Sequence, residues 1–352
     1  MSTTPTTTSS DVTVIIPSYN GARFIGEAIR SCLCQANDCF HVEIIVVDDA
    51  SRDNTREIVN EFGRPVTLLL QASNQGRHVA RNRGLSAANG KYVKFLDQDD
   101  LLEPRTLQAE FALAISTDAD MIIAGHRNIT SDDVGISVIN EQPIPRSMEP
   151  RVTAILDGSA VPTAAALYRR EYIRGLLWDG DVPRLDDWDW FVRAALRMGK
   201  IVPIHHVAYS WRHHPQQYTH HSTLNQYARD HHLILRKIEQ WLRDNNEFTE
   251  SHRARLAQYY YKMLRAIYTH DRAWYQQTLA HIFELDPSFQ PYCEPRRAVR
   301  RLCRMIGVRP GLFVYNRVAD TLRALRSWSP RSVRLVAKRM QPPTELVSGK
   351  SV

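Results

Sequence analysis

VTVIIPSYNG, residues 12–21, opens on five apolar or β-branched residues and closes on a turn composition, Pro17-Ser18-Tyr19-Asn20-Gly21. A short run without polar alternation is the pattern of a strand buried on both faces of a parallel sheet. The sequence that follows changes period. Ile25, Ala28, Ile29, Cys32 and Leu33 recur at helical spacing, which predicts a helix with one apolar face against that sheet. A second apolar strand, residues 44–47, runs into Asp48-Asp49, and Ser51 and Asp53 then offer caps for a helix to Phe62. Strands at 66–70, 92–96 and 121–124, with a loop and helix over 74–89 and a helix from Pro104, continue the alternation. Strand and helix in regular succession predict an α/β fold, a Rossmann-like, mostly parallel sheet flanked by helices.

From about residue 150 the pattern changes. RLDDWDW at 184–190 leads a helix, and residues 226–285 read as helical. Eight of the fourteen histidines fall between 205 and 232, as the pairs 205/206, 213/214, 220/221 and 231/232. The last sixty residues are Arg-rich helical segments broken by prolines and glycines, so a helical C-terminal region is expected. The chain divides into a disordered lead-in (1–10), an α/β domain (11–225, with halves 11–130 and 131–225), a helical extension (226–290) and a basic amphipathic region (291–352).

The 352 residues are 43% hydrophobic and 24% charged, ordinary for a soluble globular protein. No stretch approaches the ~20 apolar residues of a membrane-spanning helix, and the polar start MSTTPTTTSS does not read as a secretory signal. Five cysteines without metal-ligand spacing argue against a disulfide scaffold and for a reducing, cytoplasmic setting. The net charge is +7, but residues 296–340 hold thirteen Lys/Arg against Asp320, a local +12; the remainder is 7 − 12 = −5.

In open parallel sheets, ligands bind beyond the carboxyl ends of the strands. The polar clusters fall at those ends: Ser18-Tyr19-Asn20, Asp48-Asp49 and Asp97-Gln98-Asp99-Asp100. Any one of them can be a helix cap or turn; three on one rim point to a site. Three carboxylates in four residues repel one another and call for a cation. Oxygen ligands favour Mg²⁺ or Mn²⁺, and such an ion commonly bridges to phosphate. No G-x-G-x-x-G is present, and Gly349-Lys350-Ser351 lacks the earlier glycine of a P-loop because Thr344 stands there.

Residues 12–130 resemble the nucleotide-binding half of family 2 glycosyltransferases, which have the GT-A fold. The matching stretches are VTVIIPSYNG (12–21), IIVVDDASRDNT (44–55), NQGRHVARNRG (74–84) and FLDQDD (95–100). A weaker likeness continues to about residue 220. The resemblance implies an inverting transfer from a nucleotide-diphosphate sugar, UDP-linked by preference, with Mn²⁺ or Mg²⁺ as cofactor. It implies donor-binding roles for Pro17, Tyr19 and Asn20, with Tyr19 stacking on the base. Asp49 would accept from the base's ring N–H, Arg81 would lie near ribose or diphosphate, Asp97 would meet ribose or metal, and Asp99 would be the main metal ligand. Asp186-Asp187 is similar to the family's acidic pair before a helix, which makes Asp187 the implied catalytic base, with Asp186 and Asp189 as competitors. WRHHP at 211–215 resembles the family's Tyr-Arg-x-His segment, so Arg212 and His214 would approach the diphosphate or metal. Asp53 reads as a plain helix cap, Asp100 as a further cap candidate, and the remaining histidines as solvated loop residues. Trp188 and Trp190 fit a sugar platform or the core equally well.

Two other functions share some of these features. A Mg²⁺-dependent nucleotidyltransferase needs a basic phosphate loop, and Pro17–Gly21 contains no basic residue. A protein acting on nucleic acid through its basic tail would be expected to show a nucleic-acid motif, and none is present; no nucleic-acid partner is expected. Basic residues interleaved with Val, Leu and Ile over 296–340 suit an anionic membrane surface, against the alternative of packing on the enzyme's own acidic body. The resemblance, to a family whose members often use lipid-linked or membrane-proximal acceptors, implies the first: the inner face of the membrane, with a saccharide or lipid-linked acceptor.

Overall fold

The computed structural model describes residues 10–132, 135–142, 144, 151–156, 161–215, 224–268 and 271–291, with single positions between 299 and 312. Unbroken apolar runs become the central strands. Every residue of β1 (Val12–Ser18) is buried. Then follow α1 (Ile25–Leu33), β2 (Val42–Asp48), α2 (Thr55–Glu61), β3 (Val66–Leu70), α3 (Arg77–Ala87) and β4 (Tyr92–Phe95). The second half has β5 (Leu101–Leu102), α4 (Thr106–Thr117), β6 (Met121–Asp132), β7 (Gly135–Gln142), α5 (Arg151–Leu156), β8 (Ala166–Arg169) and α6 (Arg170–Ile173). It closes with α7 (Asp186–Arg197), β9 (Ile201–His213), α8 (Leu224–Asp244), α9 (Glu250–Tyr268) and α10 (Arg272–Leu285).

The described strands form one sheet in the order β3-β2-β1-β4-β8-β6-β9-β5, with β7 paired to β6. β1 is parallel to β2 and β4, and β2 to β3. β8 runs antiparallel to both β4 and β6, and β9 is parallel to β6. Six strands thus point one way, and the carboxyl ends of β1, β2 and β4 share a rim. The helix α3 lies tight on this sheet: a Cβ on Gly84 would stand 2.4 Å from Ile15 Cγ2. That close approach needs glycine and brings the arginines of α3 to the rim.

The second half differs from the pattern reading in its details. The histidines are not loop residues where they are described. His205, His206 and His213 lie on β9, a strand of thirteen residues, and His231 and His232 lie on α8; His220 and His221 are outside the described residues. His206 bonds Thr106 at 2.9 Å and His213 bonds Asn128 at 2.8 Å. Trp190 is core: it is fully buried and stacked on Trp178 at 5.0 Å. Among the described residues no helix is long and apolar enough to cross a membrane. Most of 296–340 lies outside the described residues; the described Val299, Cys303, Val308 and Leu312 are buried.

Candidate active site

The turn after β1 is built by residues far away in sequence. Asn20 adopts φ 49°, a conformation Asn tolerates better than most residues. Its side-chain oxygen accepts from Arg52 N at 2.9 Å, and its N–H donates to Ser51 Oγ at 2.9 Å. Gln98 Oε1 accepts from Ser18 Oγ (2.7 Å) and Tyr19 N (2.9 Å). The turn and the acidic loop after β4 are therefore one unit, with Tyr19 exposed above buried Pro17. Asp53 is more than a cap: one oxygen accepts from Thr55 N–H and the other from Ala22 N at 3.1 Å, tying the start of α2 to the turn. Asp49 is buried and already accepts from Gln71 Nε2 (2.5 Å), Gln75 N (2.8 Å) and Gly76 N (2.7 Å). It shapes the loop into α3 and keeps capacity for a further donor.

The arginines of α3 join the two halves. Arg81 is buried against the Trp178 ring at 4.2 Å. It reaches Asp97 at 2.6 Å, Asp186 at 3.1 Å and Asp187 at 3.4 Å. Arg77 grips Asp186 with two nitrogens, at 2.6 and 2.5 Å, and donates to Pro183 O at 3.2 Å. Burial opposes charge on Asp97, but Arg81 and Arg77 overcome it and hold that carboxyl below its ordinary range.

The three acids at the start of α7 thereby separate. Asp186 is buried and clasped by two arginines. Asp189 is buried and paired with Arg193 at 2.6 Å and Lys237 at 2.8 Å. The Asp187 side chain is 42% exposed, with Arg81 as its nearest cation. Partial loss of solvation, reinforced by Asp186 and Asp97, outweighs Arg81 and Arg77 and pushes its carboxyl up to about 6.

The acidic loop has the opposite balance. Oxygens of Asp97, Asp99 and Asp100 lie within 4.8 Å of one another. Asp100 does not cap a following helix; it is buried and accepts from Arg212 N at 2.9 Å. Burial, then Asp99 and Asp97, push its carboxyl well above the usual range. Arg212 stands behind the loop, almost fully buried, donating to Asp99 O (2.8 Å) and Glu27 (2.6 Å). These bonds hold Arg212 beside the acidic loop, next to Asp99 and Asp100. His214 Nε2 lies 2.9 Å from Asp99 Oδ2, beside Phe24, and its Nδ1 is buried without a partner among the described residues. A crowded carboxylate set short of positive charge, with one imidazole, fits a hard divalent cation.

The family description "Glycosyl transferase family 2" matches residues 13–177. The chain carries a family 2 glycosyltransferase domain. It is 34% identical over 170 residues to an uncharacterized glycosyltransferase of Nostoc sp., covering 46% of this chain and 52% of that protein. It is 30% identical over 168 residues to the succinoglycan biosynthesis protein ExoO of Rhizobium meliloti, covering 47% and 46%. The chain thus spans about half the length of the curated relatives it matches. Among solved structures, S. aureus TarS 1–349 in complex with UDP-GlcNAc aligns with TM-score 0.60 at 18% identity, covering 89% and 92%. The mannosyltransferase PcManGT of Pyrobaculum calidifontis, in complex with GDP-Man and Mn²⁺, aligns with TM-score 0.50 at 19%, covering 79% and 86%. At such identities these likenesses show the fold, a GT-A-type α/β sheet with flanking helices.

Proposed function

We propose that this protein is an inverting, metal-dependent glycosyltransferase that moves a sugar from a nucleotide-diphosphate donor, first of all a UDP-sugar, to an acceptor hydroxyl. The observation that carries the reading is the separation of Asp187 from its neighbours. Asp186 and Asp189 are buried in ion pairs, whereas Asp187 stays partly exposed with a proton affinity raised toward neutrality. A base poised near the working pH is both ionised and strong enough to take a proton. Asp187 removes the acceptor's hydroxyl proton as that oxygen bonds the anomeric carbon; the bond to the diphosphate breaks on the opposite face, and configuration inverts.

Pro17, Tyr19 and Asn20 hold the base and ribose side of the donor, with Asp49 offering its remaining lone pair to a ring N–H. Arg81 and Asp97 stand where ribose and diphosphate meet. Asp99 and His214 would hold Mn²⁺ or Mg²⁺, which supplies neutralising charge for the departing diphosphate. The donor class is supported by the UDP-GlcNAc and GDP-Man complexes of the structural neighbours, and a saccharide or lipid-linked acceptor by the succinoglycan relative. The basic segment 296–340 supplies peripheral attachment to an anionic membrane surface; vesicle sedimentation at low and high salt checks it, with binding lost at high salt.

The reading is tested by incubating the protein with a panel of nucleotide sugars and Mn²⁺ or Mg²⁺ and detecting the released nucleoside diphosphate. Release of UDP from one or more UDP-sugars is expected. Cleavage to the nucleoside monophosphate would favour nucleotidyl transfer instead.

A further inference from the structure

Beside the base, the helical extension carries a group of rings that the transfer mechanism does not use. Trp188 directly follows Asp187. Its ring lies 5.0 Å from His231 of α8 and is stacked on Tyr259 of α9 at 5.8 Å with an interplanar angle of 20°. Tyr227, one turn before His231, lies 5.4 Å from it and is 42% exposed. α8 is fixed to the base-bearing segment: Asp230 Oδ2 accepts from Arg184 N at 2.7 Å and Leu185 N at 3.2 Å. Asp230 thus ties α8, which carries Tyr227 and His231, to the residues that lead into α7 and Asp187.

The chemistry of His231 identifies what this group of rings can hold. Its Nδ1 lies 2.9 Å from the backbone carbonyl of Tyr227, which can only accept, so Nδ1 carries the hydrogen. Burial keeps the imidazole below its usual range, so it is neutral near pH 7. Nε2 is then a lone-pair acceptor, with no protein partner among the described residues and open to solvent. An outward acceptor between aromatic rings matches a pyranose, which presents an apolar C–H face and hydroxyl donors at its edge. Tyr259 is covered by Trp188 and by Lys262 Nζ, 5.0 Å from its ring centre, so the exposed Tyr227 is the ring face offered to a sugar.

We propose that Trp188, Tyr227, His231 and Tyr259 form a saccharide subsite that receives the acceptor next to Asp187, with Tyr227 as its outer face and His231 Nε2 accepting from a sugar hydroxyl. The inference rests on the glycosyltransferase reading and adds the acceptor's class and place.

The test uses the full chain and saturation-transfer NMR with four disaccharides: cellobiose, chitobiose, maltose and lactose. At least one gives saturation transfer, and its apparent Kd rises about tenfold (~1.4 kcal/mol) in both Tyr227→Ala and His231→Phe. Tyr227→Phe, which keeps the ring, retains binding. Melting curves confirm that each variant is folded; the exposure of Tyr227 makes its replacement structurally tolerable. No signal from any disaccharide, or an unchanged Kd in both variants, overturns the subsite. UDP release from UDP-sugars is measured on the unmodified protein in parallel. A protein that turns over donor but binds no saccharide refutes the subsite alone, and one without donor turnover refutes the underlying reading.

Discussion

Asp97, Asp99 and Asp100 resemble Asp186, Asp187 and Asp189 on paper, each a triplet of carboxylates within four residues, yet their surroundings are opposite. The second triplet is met by Arg77, Arg81, Arg193 and Lys237. The first shares Arg81 at one end and has His214 in the middle; Arg212 behind it gives Asp100 a backbone amide and a charge too weak to offset burial, so that carboxyl stays well above its ordinary range. Carboxylate density therefore does not distinguish a metal site from a base. What distinguishes them is the supply of cations from elsewhere in the chain: the deficient triplet wants an ion, and the saturated one frees a single acid for proton transfer.

The largest expected effect breaks the symmetry through the metal. EDTA followed by dialysis should reduce transfer to background, and Mn²⁺ or Mg²⁺ should restore it. In Asp99→Ala moderate added metal should not, and calorimetric metal binding should be lost with it. Full activity in the stripped protein contradicts a cation requirement at the first triplet.

A second contrast concerns stability of the metal-free protein. Asp189→Asn removes the buried partner of Lys237 and Arg193; both cations stay partly exposed and Lys237 keeps Asp179, so it should cost ~1–3 kcal/mol in urea unfolding. Asp100→Asn should cost nothing or stabilise. A carboxyl whose folded pKa is raised destabilises the fold once pH exceeds its unfolded pKa, and the amide removes that penalty. Equal losses in the two variants would mean the triplets do not differ in charge balance.

A smaller effect sharpens the role of the arginine clasp. Arg77→Ala frees Asp186 and the Pro183 carbonyl, and kcat should fall roughly tenfold with donor KM little changed. Transfer rate should rise with pH through about 6 in the parent protein, since a protonated Asp187 cannot accept a proton. Removing the positive charge of Arg77 disfavours the carboxylate, so the acid limb should move upward in Arg77→Ala and stay in place in Arg77→Lys. An unmoved limb in both would limit Arg77 to a structural part.

The rim was legible because its signals are local. Residues 12–16 and 44–47 are too apolar for anything but buried strands, and the polar residues that end them must then sit together at the strand ends. Asp97 and Asp99 belong to that logic. Gln98 escaped notice because its value lies in bonds to Ser18 and Tyr19, some eighty residues earlier. The same distance hides Arg77, whose partner Asp186 is 109 residues away. Arg212 stands out in the sequence only through the family likeness of WRHHP; its bonds to Glu27 and the Asp99 carbonyl join residues more than a hundred positions apart and leave no local mark. The paired histidines misled in the same way. Strand β9 carries His205, His206 and His213, and helix α8 carries His231 and His232, because neighbouring apolar residues face the core, which pair spacing does not report. Trp188 and Trp190, two residues apart, were indistinguishable until Trp178 covered one and left the other at the edge.

The account turns on one carboxylate, and the most direct measurement compares Asp186→Asn with Asp187→Asn for transfer from a UDP-sugar and for UDP binding by calorimetry. Asp187→Asn should lose on the order of 10²–10⁴-fold in turnover while binding UDP almost as the parent does. Asp186→Asn should unsettle the arginine clasp and weaken UDP binding along with turnover. Undiminished turnover in Asp187→Asn, or UDP binding lost in step with it, would contradict the assignment of Asp187 as the base.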